Sequence, residues 1–111
     1  LHRVDRRQRQ MCIRDRYAAT CNDPGLAELA RRAATDLGIP VRDFVLTMGA
    51  EDFSMYQQRV PGLFMDMGIR KRPDQPSFHS SRFDFDDRVL ATGAALMAAC
   101  ALRYLEEGGG R

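Results

Sequence analysis

Leu26, Leu29, Ala30, Ala33 and Leu37 recur at intervals of three and four, which lines them along one face of an α-helix. The residues before them supply a start. In Asn22-Asp23-Pro24 the carboxylate can cap free N–H groups, and the proline suits the first helical position. Gly38 suits the C-terminal stop, with Pro40 beyond it. Val41 to Leu46 changes character, becoming a run of β-branched and aromatic residues that predicts a strand. It leads into a predicted turn over Thr47 to Phe53. Phe53 to Val60 reads as a short helix ended by Pro61-Gly62, and Leu63 to Met67 as a second short strand. Gly68 to Ser81 is a polar loop with three consecutive cations, Arg70-Lys71-Arg72. Asp84, Asp86 and Asp87 precede a last helix running to about Leu105, where carboxylates favour the helix N-terminus. Val89, Leu90, Gly93, Ala94, Met97, Cys100, Ala101 and Tyr104 give that helix a broad apolar face.

The order helix, strand, short helix, strand, helix predicts an α/β layer. Two or three strands make a poor independent sheet, because edge strands need neighbours. The apolar faces of the first and last helices both call for a larger partner. The pattern therefore predicts an incomplete domain.

Composition adds little until the charge is divided along the chain. Of 111 residues, 44% are hydrophobic and 29% charged, an ordinary globular balance. No apolar run approaches the ~20 residues that span a bilayer, and no apolar signal-peptide core follows the basic start. Neither a membrane partner nor export is expected. Cys12, Cys21 and Cys100 form no CxxC pair, so a reducing cytoplasm is the expected compartment. The formal charge of +2 is unevenly spread: residues 1–16 carry six Arg and two Asp, a net +4, and the remainder carries a net −2.

The head LHRVDRRQRQMCIRDR has neither helical nor strand periodicity. One reading is a basic arm that contacts nucleic acid. A basic arm usually accompanies a basic body, and this body is mildly acidic. The string RQMCIRDR also resembles the translated sequencing adapter found at broken ends of metagenomic gene fragments, and that reading fits better. Residues 1–16 are then a non-native, disordered head, 17–106 the folded part and 107–111 a flexible tail.

Two segments carry a family resemblance: TMGAEDFSMYQQRVPGLFMDMGI over residues 47–69 and FHSSRFDFDDRVLATGAALMAACALRYL over 78–105. Together they resemble the C-terminal part of the aminoacylase–carboxypeptidase family of metallohydrolases. The nearest subgroup is the hippurate hydrolases, bacterial N-acyl-amino-acid amidohydrolases and plant auxin-conjugate hydrolases. There, Met-Gly-Gly-Glu-Asp-Phe precedes a Val-Pro-Gly strand, and His-Ser-Pro-x-Phe-x-x-Asp precedes a helix rich in small residues. Here the second Gly is Ala50 and the Pro is Ser81. YAATCNDP, residues 17–24, resembles the family's return from its lid domain.

The resemblance implies the incomplete C-terminal part of a mixed-sheet metallopeptidase catalytic domain. It also implies cleavage of the amide bond of a small-molecule N-acyl-amino acid or a related peptide-like amide. A divalent metal (Zn, Mn, Co or Ni) would lower the pKa of a bound water and polarise the carbonyl, in the full-length enzyme only. The family's cysteine ligand motif and catalytic glutamate pair lie upstream and have no counterpart here. The chain by itself is expected to be inactive, and the full-length parent to be a homodimer.

His79 matches the family's last metal ligand. Without that context, a histidine in a polar loop reads as a solvated side chain. Phe78, Phe83 and Phe85 are placed to anchor the loop so that His79 points inward. Gly49 and Glu51 fall on a turn after a strand, where α/β proteins put sites; Glu51 reads equally as a group that contacts substrate or orients the His79 loop and as a carboxylate or cap fixing the turn. Asp52 reads as the cap of the short helix. The three aspartates read as helix-start charges rather than calcium ligands, because EF-hand spacing is missing. Arg70-Lys71-Arg72 and Glu106-Glu107 read as solvated. The alternatives to an enzyme piece are a basic-armed nucleic-acid-binding protein and a structural domain without chemistry.

If the head is foreign, genomic DNA at this locus will depart from the coding sequence of residues 1–16 and continue in frame upstream of Tyr17. An in-frame genomic sequence for the whole head would refute that reading.

Overall fold

A computed structural model describes residues 18–43, 49 and 51–108. Among these residues there are three helices: α1 (Pro24–Asp36), α2 (Phe53–Gln57) and α3 (Arg88–Glu106). α1 packs against α3, and the described residues on either side of α2 are extended or turning.

α1 begins and ends as its sequence dictates. Asp23 Oδ1 accepts from the Leu26 N–H at 2.9 Å, and Pro24 occupies the first turn, where its missing N–H costs nothing. At the other end Gly38 adopts φ +67°. The Ile39 N–H reaches back to the Ala34 carbonyl (2.8 Å) and the Gly38 N–H to that of Thr35 (3.0 Å). These two bonds are a Schellman motif, and Ile39 completes it by packing against the helix-pair core. Leu29, Ala30, Ala33 and Ala34 are buried, while Leu37, expected on the same face, is 45% exposed.

α3 is turned away from the expected orientation. Its buried residue is Leu96, packed on Ala33 and Ala34, with Ala99 and Cys100 beside it. Val89 and Gly93, at helical spacing from Leu96, are half-buried, whereas Leu90, Met97 and Tyr104 are exposed. Both faces are apolar, so periodicity could not choose between them. A helix apolar on several faces is one built to be covered on several faces. Gly93 permits one such cover: a Cβ there would come within 3.2 Å of Met67 Cε.

α3 also departs from the expectation that no segment is apolar enough to span a bilayer. Its 19 residues are long and apolar enough to cross a bilayer, by length and composition alone. Alanines and small residues raise the average without a run of large ones.

The expected sheet does not form among the described residues. Leu63 to Met67 is extended but has no ladder, and Val41 to Asp43 is likewise irregular; the rest of the first predicted strand, 44–46, lies outside the described residues, as do Thr47, Met48, Ala50, the head and Gly109 to Arg111. A strand exists only when a neighbour takes its N–H and C=O groups. Here side-chain amides take them instead. Asn22 Oδ1 accepts from the Phe64 N–H (2.8 Å) and Asn22 Nδ2 donates to the Phe64 carbonyl (2.9 Å). Gln57 Nε2 donates to the Gly62 carbonyl (3.0 Å) and Gln57 Oε1 accepts from the Cys21 N–H (3.0 Å). A backbone bond from Asp23 N–H to the Gly62 carbonyl (3.0 Å) completes the clasp.

Two ion pairs flank the helix contact, Arg32 with Glu107 (3.0 Å) and Arg103 with Asp36. Glu107 is thus partnered, not free in solvent as expected; such exposed pairs contribute ~0–1 kcal/mol.

Replacing the α1 cap, Asp23→Ala, should cost about 1 kcal/mol of local stability. Amide exchange at Leu26 and Ala27 should rise roughly fivefold, while Asp23→Asn stays near the parent value. Equal exchange in all three proteins would contradict the capping role.

Candidate functional site

The candidate site is the loop between Ile69 and Asp86, whose tip carries His79. The loop is closed at its base by a bond from the Asp86 N–H to the Ile69 carbonyl (3.1 Å). Gln75 then crosses it: its Oε1 accepts from the Lys71 N–H (2.7 Å) and its Nε2 donates to the Asp84 carbonyl (2.6 Å). Lys71 Nζ meets Asp84 Oδ2 at 3.0 Å between the same two arms. Nearer the tip, Phe83 N–H donates to the Ser80 carbonyl (3.0 Å), and Arg82 N–H to Ser80 Oγ (3.1 Å).

The three phenylalanines form a row, with ring centroids 5.6 Å apart for Phe78 and Phe83 and 6.3 Å for Phe83 and Phe85. They do bind the loop to itself, but as a surface cluster: Phe78 is 68% exposed. His79 is exposed too, which corrects the expectation that the rings aim it inward. The buried core is the α1–α3 contact, and the loop is not part of it.

His79 has φ +65°, the one positive φ among the described non-glycine residues. L-residues avoid this region because Cβ crowds the following carbonyl, at roughly 1–2 kcal/mol. Histidine tolerates it better than most, and such outliers concentrate where a side chain has to be aimed.

The aspartates before α3 divide by role. Asp86 Oδ1 accepts from the Arg88 N–H (3.1 Å), and its carboxylate makes a two-pronged pair with the Arg88 guanidinium, at 2.8 Å from Nε and 2.6 Å from Nη2. The guanidinium holds the Asp86 carboxyl down at about 2. Asp87 stands at the N-cap without a side-chain bond. Asp84 is a correction: it belongs to the loop stem, and the hydrogen bond from Lys71, then that from the Phe85 N–H, lowers its pKa. Lys71, expected to be solvated, is therefore engaged, and Arg72 pairs with Asp74 at 3.2 Å.

Gly49 is exposed. Glu51 Oε1 accepts from the Phe53 N–H (3.3 Å) and the Glu51 carbonyl from the Ser54 N–H (3.2 Å). Glu51 thus fixes the start of α2, the task expected of Asp52, which makes no side-chain cap bond. That bond lies within its own turn and does not join Glu51 to the His79 loop. Ser54 is 1% exposed with its hydroxyl unpartnered. Neither it nor the Asn22, Gln57 and Gln75 bridges carries a sequence signal.

Among the described residues no three His, Cys, Asp or Glu side chains converge as a metal site. One imidazole is one donor, and a catalytic zinc takes three from protein. These residues alone do not fit a metal ion.

A sequence profile of peptidase family M20/M25/M40 matches residues 8–103, a span that includes part of the basic head. The chain is 35% identical over 96 residues to IAA-amino acid hydrolase ILR1-like 4 of Arabidopsis thaliana, covering 82% of this chain and 22% of that protein. It is 31% identical over 85 residues to N-acetylcysteine deacetylase of Bacillus subtilis, covering 77% and 22%. With thermostable carboxypeptidase 2 of Saccharolobus solfataricus it shares 30% over 94 residues, covering 83% and 24%. The chain thus spans about a quarter or less of these relatives. No solved structure gives a significant match.

The Asp86–Arg88 pair yields a pH prediction. A carboxylate depressed from 3.8 to about 2 supports the folded loop above its unfolded pKa, and that support is lost as pH falls from ~4 toward 2. In Arg88→Gln, the carboxyl resonance of Asp86 should titrate near its ordinary value. A midpoint still near 2 would mean that another group holds it.

Proposed function

The chain belongs to peptidase family M20/M25/M40, and on that premise we propose that it is the C-terminal part of the catalytic domain of a metal-dependent amidohydrolase acting on N-acyl-amino acids. His79 supplies one ligand to a metal site whose other ligands come from outside these residues. The observation that carries this reading is His79 itself: a left-handed histidine at the tip of a cross-tied loop, inside the HSSRFDFD motif. The family membership and the relatives' names, hydrolase, deacetylase and carboxypeptidase, support amide-bond chemistry.

In this reading residues 17–106 are catalytic-domain sequence, residues 1–16 a foreign head and 107–111 a tail. Gly49 lines the substrate cleft, and Glu51 shapes its wall by fixing α2. The chain is inactive alone, and its parent is a cytoplasmic homodimer that takes Zn, Mn, Co or Ni. α3 is a packing helix and not a membrane span, which its contacts with α1 support: Leu96 lies on Ala33 and Ala34, and Arg103 pairs with Asp36.

A nucleic-acid-binding role would rest on the arginines of residues 1–16, which lie outside the described residues; in the body, Arg31, Arg32, Lys71, Arg72, Arg88 and Arg103 each pair with a carboxylate.

The test is a graft of residues 18–105 in place of the matching stretch of the Bacillus subtilis deacetylase. In an active graft, His79→Ala should lower metal occupancy and activity by roughly tenfold or more. Full activity with normal metal content would refute the assignment.

A further inference from the structure

The tip of the His79 loop lies far along the chain from either end of the loop, and a single backbone bond, Asp86 to Ile69, closes the base. Left at that, the arms would move independently and the tip histidine would sample many directions. Gln75 removes that freedom. Its amide faces two backbone groups on opposite arms, an N–H at Lys71 and a carbonyl at Asp84, at 2.7 and 2.6 Å. Only one orientation of the amide satisfies both, because the oxygen has to meet the N–H and the nitrogen the carbonyl. The side chain therefore does the work of a ladder rung between two arms that otherwise share one backbone bond at the base. Beyond it, the chain turns through Pro76 and Phe78 to a histidine in a backbone region that L-residues leave when released.

We propose that Gln75 is the positioning residue of this loop, holding its arms in register so that His79 keeps its left-handed backbone and presents its imidazole in one direction. The Lys71–Asp84 pair spans the same arms, but both side chains are well exposed, so it contributes less than the amide bridge. The functional value of this device rests on the reading of His79 as a metal ligand, since a ligand has to be aimed before the ion arrives.

The experiment uses the whole 111-residue chain in solution, read by the φ-sensitive HN–Hα coupling of His79 and the exchange rate of the Lys71 amide. In Gln75→Ala, the His79 coupling should shift to an averaged value and Lys71 exchange should rise roughly five- to tenfold, with α1 and α3 resonances unchanged. Lys71→Met, which removes only the charge pair, should leave the His79 coupling as in the parent. Gln75→Glu retains the acceptor for Lys71 but not the donor to Asp84, and should give a coupling between those two. An unchanged His79 coupling in Gln75→Ala, or an equal loss in Lys71→Met, overturns the proposal. Failure of the ligand reading looks different: normal metal content after His79→Ala in the graft, with the Gln75 effects intact.

Discussion

The contact of Ala33 and Ala34 on Leu96 is the constraint on which the rest of this structure depends. It joins the two long helices, and the buried apolar core amounts to two leucines and three alanines among the described residues. Small side chains let the helices approach closely, but they bury little area. What fixes α1 in place is therefore its ends. The Asp23 cap and the Gly38 Schellman turn define where the helix starts and stops, and Ile39 after that turn is delivered directly onto the core. A core this small leaves large apolar side chains outside it. Leu90, Met97, Leu102 and Leu105 of α3 are all more than half exposed. A soluble domain ordinarily covers such a surface, which accords with a chain spanning under a quarter of its plant relative.

Where a sheet would be, side-chain amides hold the backbone. Asn22 and Gln57 clasp Gly62 and Phe64, and Gln75 bridges Lys71 and Asp84. Each amide offers a donor and an acceptor, which is what an unpaired extended residue needs. Met67, lying against Gly93, and Ile69, bonded to Asp86, connect the first clasp to the base of the His79 loop. The candidate ligand is in this way coupled to the helix pair through short-range polar bonds and the apolar contact of Met67 with Gly93.

What the sequence revealed depended on whether the signal was local. α1 was legible because its periodicity, cap and stop lie within seventeen residues of chain, Asn22 to Gly38. Leu63 to Met67 is extended without a ladder among the described residues, because strand propensity predicts an extended backbone but not the presence of a neighbour to pair with it. The orientation of α3 was missed for a related reason: its residues are apolar on both sides of Leu96, so the partner, not the pattern, decides. Glu51 takes the capping task expected of Asp52, because either carboxylate can reach the first turn of a helix as short as α2. The amide bridges join residues up to 42 apart and follow no local rule. His79 was identified through the order of family motifs, and its left-handed φ is the structural property that spacing alone does not reveal.

The central claim is that His79 is a metal ligand in the complete enzyme, and the most direct measurement is a crystal structure of the graft grown with zinc, with the ion located by its anomalous signal. An imidazole nitrogen of His79 is expected at about 2.0–2.1 Å from the ion. A fully ligated zinc with the His79 ring outside its coordination shell would contradict it.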